Sequence, residues 1–333
     1  MTPASGWQPQ SKSVIAAIME TCRRFAERPA FIYRAGGQEL TVDYAKLRED
    51  VILLARAFED RKIVRGSHVL LLSDNRYAWI VTDLALMALG AVSVPRGSET
   101  PTRELEYIID HAECSFIIVE TDALLNRHQD MLSARKQIKT VFLIEGNEKH
   151  TLFSRIYAYN DILKDRTLSQ ENFARFDRKV AEITQRDLVT IIYTSGTTGT
   201  PKGAMLSHRN LVEAANTFNA AFESSNRDEV LSYLPLCHIA ERLSSAINAL
   251  RVGYVVNFGR GGEFFSIAAF IEQPDDDLLR RQPVLLADKR KILSELKYKI
   301  LKILYQCFLQ ITFGIIYREV KEIKNVSIFE HPA

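Results

Sequence analysis

Apolar and polar positions along the chain follow two periods. Over residues 13–26, Ile15, Ile18, Met19, Cys22 and Phe25 fall on one face at helical spacing, which predicts an amphipathic helix. Residues 30–33 and 39–41 read as paired strands around an Ala35-Gly36-Gly37 turn. Thr41 is placed to cap a helix that runs to about Arg61. The next apolar runs are short and rich in Val, Ile and Leu: His68-Val-Leu-Leu-Leu-Ser73, Ala91-Val-Ser-Val94, Phe116-Ile-Ile-Val119 and Val141-Phe-Leu-Ile144. Each predicts a buried strand, and helical patterns over residues 76–89 and 104–111 separate them. Strands that alternate with helices imply an α/β fold, a doubly wound and mostly parallel sheet with flanking helices. No internal repeat is evident.

Residues 145–178 are polar and irregular, and read as a link between two α/β halves. Beyond them, Leu188-Val-Thr-Ile-Ile-Tyr193 predicts another buried strand, in which Thr190 is a strand residue only. Ser207 is placed to cap a helix from about His208 to Phe222. Residues 230–234 and 253–258 predict two more strands, and the Gly259-Arg-Gly-Gly262 cluster reads as a turn. The apolar stretch 303–317 contains Gln306, Gln310 and Thr312 between Lys302 and Arg318. It is too short and too polar to span a bilayer, so it reads as a core element, with a peripheral membrane contact left open.

Composition narrows the class. A chain of 333 residues has room for two domains or one large one. With 47% hydrophobic and 25% charged residues, it has the ordinary makeup of a soluble globular protein. The net charge of +2 gives no general case for a nucleic-acid partner. Cys22, Cys114, Cys237 and Cys307 are far apart and form no Cys-x-x-Cys pair, which suits reduced thiols in the cytoplasm. No apolar signal core opens the chain, so secretion is not expected. His68, His111, His128, His150, His208 and His331 show no metal-ligand spacing, and no metal site is expected.

The candidate chemistry is concentrated in residues 193–203, Tyr-Thr-Ser-Gly-Thr-Thr-Gly-Thr-Pro-Lys-Gly. Three glycines, five Ser and Thr hydroxyls between Thr194 and Thr200, and one lysine share this stretch. Glycine lets backbone N–H groups approach a ligand closely, hydroxyls add donors, and Lys202 adds a mobile positive charge. Strand, glycine-rich loop and helix follow in order, the arrangement of a phosphate loop. A Walker A loop is excluded: after Gly196 and four intervening residues stands Pro201, and Lys202 is followed by Gly203. Pro201 also holds Thr200 toward an extended backbone.

These residues resemble the phosphate-binding signature of the AMP-forming adenylate synthetases, among them acyl-CoA synthetases, luciferases and peptide-synthetase adenylation domains. Leu234-Pro-Leu-Cys-His-Ile-Ala-Glu-Arg242 resembles that family's next core motif, in the form typical of long-chain fatty acyl-CoA synthetases. Leu40-Thr-Val-Asp-Tyr-Ala-Lys-Leu47 and Gly90-Ala-Val-Ser-Val-Pro95 resemble its opening segments, and the likeness runs from about Val14 to Ile300. The resemblance implies ATP, Mg²⁺ and coenzyme A as cofactors and co-substrates. A fatty acid carboxylate would attack the α-phosphate to give acyl-AMP and pyrophosphate, and the thiol would then displace AMP. It assigns Thr194, Ser195, Gly196, Thr197, Thr198 and Gly199 to the nucleotide phosphates. Lys202 would pair with a phosphate oxygen, with a solvated loop lysine as the alternative. His238 would stand near the acyl and adenylate pocket as a gate or polar wall, with a purely structural histidine as the alternative. An internal ion pair would explain Glu241 and Arg242 equally well, and Cys237 reads as packing.

The likeness has limits. The family's Tyr-Gly-x-Thr-Glu motif, with its Mg²⁺-binding Glu, is absent, and no Gly-Asp pair supplies the ribose-binding Asp. Residues 282–296 still resemble a family segment, with Lys289 where a proline normally stands. The expectation is a partial AMP-binding N-terminal domain over residues 1–300 and a divergent tail over 301–333, without the small C-terminal domain. A non-catalytic nucleotide-binding paralogue and an adenylating ligase for a non-fatty acid are the other readings.

Overall fold

In the computed structural model, Ser13 opens the first helix, α1 (Val14–Arg24), by accepting the Ala16 N–H at 3.3 Å. The structure describes residues 11–258 apart from 12, 36–37, 147–152, 154, 164–166, 195–200, 223 and 233. The helix buries Val14, Ile15, Ala17, Ile18, Met19 and Cys22, the apolar stripe read from the sequence. Strands β1 (Pro29–Ala35) and β2 (Gln38–Asp43) pair antiparallel. The cap of α2 (Tyr44–Asp60) is Asp43, whose carboxylate accepts the Lys46 N–H at 2.7 Å. Thr41 is instead still in the strand, opposite Ile32. Both are good capping residues, and strand pairing decides between them.

The centre of the chain alternates strand and helix: β3 (His68–Leu72), α3 (Tyr77–Ala88), β4 (Val92–Arg96), α4 (Thr102–His111), β5 (Phe116–Thr121), α5 (Asp122–Ser133) and β6 (Thr140–Glu145). The segment read as an irregular link holds β7 (Ile156–Ala158), α6 (Tyr159–Ile162) and α7 (Gln170–Ala181). Its polarity misled because α7 buries only Phe176 and Val180, and because β7 is a short edge strand. Strand β8 (Leu188–Thr194) is followed by β9 (Lys202–Ser207) and α8 (His208–Phe222). The chain ends its described course with β10 (Glu229–Ser232), α9 (Ile239–Glu241), π-helical turns over Arg242–Asn248, α10 (Ala249–Val252) and β11 (Val255–Phe258).

Seven strands form one sheet in the order β7-β6-β5-β3-β4-β8-β9, parallel throughout except for the antiparallel edge strand β9. Four form a second sheet, β10-β11-β1-β2. The long apolar runs lie in the middle of the large sheet: Leu70, Leu72, Val92, Val94, Ile117, Val119, Val141 and Leu143 all sit in one core cluster. Burial on both faces is why these strands read as continuous apolar runs and not as alternating ones.

The strand order matters for function. From β3 the chain steps to β4 on one side, then crosses back over β3 to β5 on the other. Open parallel sheets bind ligands in the crevice that such a reversal opens at the carboxyl ends of the strands. Here the crevice lies where residues 73–76 leave β3 and residues 97–100 leave β4, with β8 beside β4.

Candidate functional site

The strands on either side of the glycine-rich stretch, β8 and β9, pair antiparallel. Residues 188–207 run down β8 and back up β9, with Tyr193 opposite Gly203 and Thr194 opposite Lys202. The sequence order strand–loop–helix therefore needs correcting to strand–loop–strand–helix. Pro201 and a second strand separate the loop from α8. Thr194 and Lys202 are both exposed, facing each other across the mouth of the loop. Ser195, Gly196, Thr197, Thr198 and Gly199 lie outside the described residues. Thr190 is buried in β8, its hydroxyl donating to the Ser93 carbonyl at 2.8 Å.

Arg96 ties the root of this hairpin to the crevice. It is the last residue of β4, and its guanidinium donates to the Tyr193 carbonyl at 3.1 Å and pairs with Glu104. On the other side of Tyr193, its hydroxyl shares a hydrogen bond with His111 Nδ1 at 2.6 Å, and burial raises the phenol to about 12. Both ends of Tyr193 are thus held directly before the loop.

The floor of the crevice is a continuous polar network. Asp74 accepts the Ser98 N–H at 3.0 Å and the Ser98 hydroxyl at 2.5 Å, which joins the ends of β3 and β4. Glu120, near the end of β5, accepts the Asp74 N–H at 2.7 Å and the Ser73 hydroxyl at 3.1 Å, and pairs with Arg76. A Cβ at Gly97 would lie 3.5 Å from Asp74 Oδ1 and 3.9 Å from Cys237 Sγ, so residues from the 234–242 motif reach this same point.

That motif is anchored at both ends. At its start, Asn75 Nδ2 donates to the Leu234 carbonyl at 2.7 Å, while Asn75 Oδ1 accepts the Leu236 N–H at 2.7 Å. At its end, Arg242 is fully buried and donates to Asp83 at 2.9 and 2.6 Å and to Ser93 Oγ at 3.2 Å. Arg242 forms its buried ion pair with Asp83 on α3. Between the anchors lie Cys237 and His238. The Cys237 thiol is raised by burial, against the pull of Arg96, which keeps it protonated and suits a packing role. His238 is exposed at the start of α9, its N–H donating to the Pro235 carbonyl at 2.9 Å. The surrounding protein and the Arg96 charge both hold its imidazole below the ordinary value, so it is neutral at neutral pH.

Arg96 is the residue that brings the sequence candidates together. It hydrogen-bonds the hairpin root and acts electrostatically on His238 and Cys237. Sequence reasoning missed Arg96, Asp74, Asn75 and Glu120. Their signal was positional: each lies at or just beyond the carboxyl end of a strand at the sheet's reversal. The segment Gly90-Ala-Val-Ser-Val-Pro95 stopped one residue short of Arg96.

Among the described residues, no group of three or more His, Cys, Asp or Glu side chains is arranged to hold a metal ion. Among the same residues, no helix is long and apolar enough to cross a membrane. The glycine cluster at 259–262, residues 282–296, the apolar stretch 303–317 and the tail from 301 lie outside the described residues.

Comparison with known proteins gives three results. Residues 18–274 match the model of a family described as AMP-binding enzyme. The chain is 30% identical over 284 residues to the probable acyl-activating enzyme 16, chloroplastic, of Arabidopsis thaliana, covering 82% of this chain and 37% of that protein. It is 29% identical to the long-chain-fatty-acid–[acyl-carrier-protein] ligase AEE15, chloroplastic, of the same plant, and 28% identical to the long-chain-fatty-acid–CoA ligase ACSBG2 of Mus musculus. Each of these matches also spans 37% of the relative, so the chain spans a little over a third of their length. Among solved structures, the N-terminal subdomain of Klebsiella oxytoca NpsA in complex with 3-hydroxyanthranilyl-AMSN superposes with a TM-score of 0.59. It is 21% identical, and the match covers 80% of this chain and 58% of that one. Apo MatB from Rhodopseudomonas palustris gives a TM-score of 0.60 at 21% identity, over 75% of this chain and 45% of that one. At this identity the likeness is one of fold.

Proposed function

The chain belongs to the AMP-binding enzyme family, and from that premise we propose that its β8–β9 hairpin and the adjoining crevice form the ATP-binding part of an AMP-forming acid–thiol ligase acting on long-chain fatty acids. The observation that carries the reading is the hairpin mouth. Thr194 and Lys202, which bracket the glycine- and hydroxyl-rich residues 195–200 in sequence, are exposed opposite each other on β8 and β9, with β8 beside β4 at the reversal of the parallel sheet. Backbone N–H groups and a mobile ammonium at such a place suit the β- and γ-phosphates of a nucleotide. The fatty acid comes from the names of the relatives, whose acceptors include both CoA and an acyl-carrier protein.

ATP supplies the activation that a carboxylate needs. The free carboxylate is a poor electrophile, and an acyl-adenylate carries a good leaving group. Thr194, Ser195, Gly196, Thr197, Thr198, Gly199 and Lys202 would hold the departing phosphates and offset their charge. Arg96 keeps the loop root fixed through the Tyr193 carbonyl. His238, neutral at neutral pH, would serve as a polar wall at the acyl side and not as a proton acceptor. Mg²⁺, in this reading, would accompany the nucleotide and offset the charge of its phosphates.

Two measurements test the proposal. Mg-ATP is expected to raise the melting temperature of the protein, and to raise it less in Lys202→Ala and Ser195→Ala. An unchanged shift in both variants would remove the loop from the binding site. Pyrophosphate exchange dependent on a long-chain fatty acid is the second, and its absence with every acid tried would remove the claim that this chain catalyses adenylation.

A further inference from the structure

Asn75 lies three residues beyond β3, outside every motif that points to the nucleotide. Yet its side-chain amide spans a piece of backbone 159 and 161 positions away, donating to the Leu234 carbonyl and accepting the Leu236 N–H, each at 2.7 Å. The orientation of the amide is fixed by its partners, because a carbonyl can only accept and an N–H can only donate. Only a side chain with one donor and one acceptor side by side can complete both bonds. Asn75 Nδ2 also lies 3.4 Å from Ser232 Oγ, at the end of β10.

The clamp acts where the motif turns. Directly after Leu236 come Cys237 and His238, and the His238 N–H closes the turn on the Pro235 carbonyl. Downstream, the Arg242 N–H bonds the His238 carbonyl at 3.1 Å, and its side chain is buried against Asp83. Between these backbone bonds, His238 itself is exposed. We propose that Asn75 is a positioning residue for His238, fixing residues 234–236 so that the turn carrying Cys237 and His238 stays at the crevice, where Cys237 Sγ approaches Gly97. The chemical purpose of that placement rests on the acid–thiol ligase reading; the placement does not.

The full chain labelled with ¹⁵N-histidine tests this without any nucleotide. The His238 imidazole signal is identified by its loss in His238→Gln and followed against pH. Arg96 from β4 is the charge that faces it, and Asp74 and Cys237 border the same point. In the unaltered protein His238 titrates below the ordinary imidazole value of about 6.5. In Asn75→Ala its midpoint moves up toward that value while the other imidazoles keep theirs. If that variant does not fold, Asn75→Ser, which cannot reach both backbone groups, is read in the same way. A folded variant in which His238 titrates as in the unaltered chain overturns the proposal. Loss of Mg-ATP binding would sink the ligase reading and leave this result standing, and the reverse also holds.

Discussion

At the scale of single residues, His208 shows how burial sets a charge state. It is the first residue of α8, fully buried, and its Nδ1 accepts the N–H of Val14 at 3.2 Å, at the start of α1. That bond needs a neutral imidazole, and burial lowers the ring to about 4 from an ordinary 6.5. Between those values the unfolded chain binds a proton that the folded one refuses. Stability therefore falls as pH drops from about 6.5 toward 4, by at most about 1.4 kcal/mol per pH unit from this group. Above that window the contribution is fully present. Asp187, Asp110 and Glu59, whose carboxyls are lowered by partners such as Arg65, Arg135 and Lys179, lose their contribution at lower pH, as they take up protons. His208→Asn keeps an acceptor but does not titrate. Urea midpoints at pH 7 and pH 4.5 should differ less in the variant, and an identical drop in both proteins would exclude His208 as the cause.

At the scale of elements, the β8–β9 hairpin depends on Gly203. It faces Tyr193 across the ladder, and a Cβ there would lie 2.8 Å from Ile191 Cγ2 and 3.1 Å from Tyr193 Cζ. Gly203→Ala must displace the Ile191 methyl and crowd the Tyr193 ring, whose hydroxyl His111 holds, so a cost of about 1–3 kcal/mol is expected, of the kind that overpacking brings. Because the strain falls next to the loop, the Mg-ATP melting shift should shrink as well; thermal melts with and without nucleotide check both effects. This hairpin also marks the limit of what the sequence could tell. The buried strands were legible because their apolar runs are long and both faces are covered. Strand β9 was not, since its apolar run is only Ala204-Met205-Leu206, just after a glycine, and Ala204 and Met205 are exposed on an edge. Composition singled out residues 193–203 as a candidate phosphate site, and resemblance singled out His238 and Lys202. Arg96 and Asn75 were not legible, because their partners are backbone groups distant in sequence, and only the strand order brings them together.

At the scale of the whole molecule, the large sheet and the segment leading to the small sheet meet at one buried ion pair. Asp83 comes from α3, Ser93 from β4 and Arg242 from the π-helical turns between β10 and β11, and Arg242 also lies over the Trp79 ring at 5.7 Å. Burial pushes the Asp83 carboxyl up, and Arg242 opposes it. Desolvating both charges offsets much of their attraction, so the pair adds little net stability, but either partner left alone in the core is costly. Asp83→Leu and Arg242→Met should each destabilise the protein by roughly 3–5 kcal/mol. The double variant should recover most of that loss, since two apolar side chains can share the site. A second outcome follows from geometry. The pair fixes the far end of the motif whose near end Asn75 holds, so the double variant should be stable and yet leave His238 less well placed. Denaturant midpoints of the two single variants and the double variant measure the first effect, and the His238 titration the second. A double variant as unstable as the sum of its parts would mean that the charges themselves, and not their pairing, hold this junction.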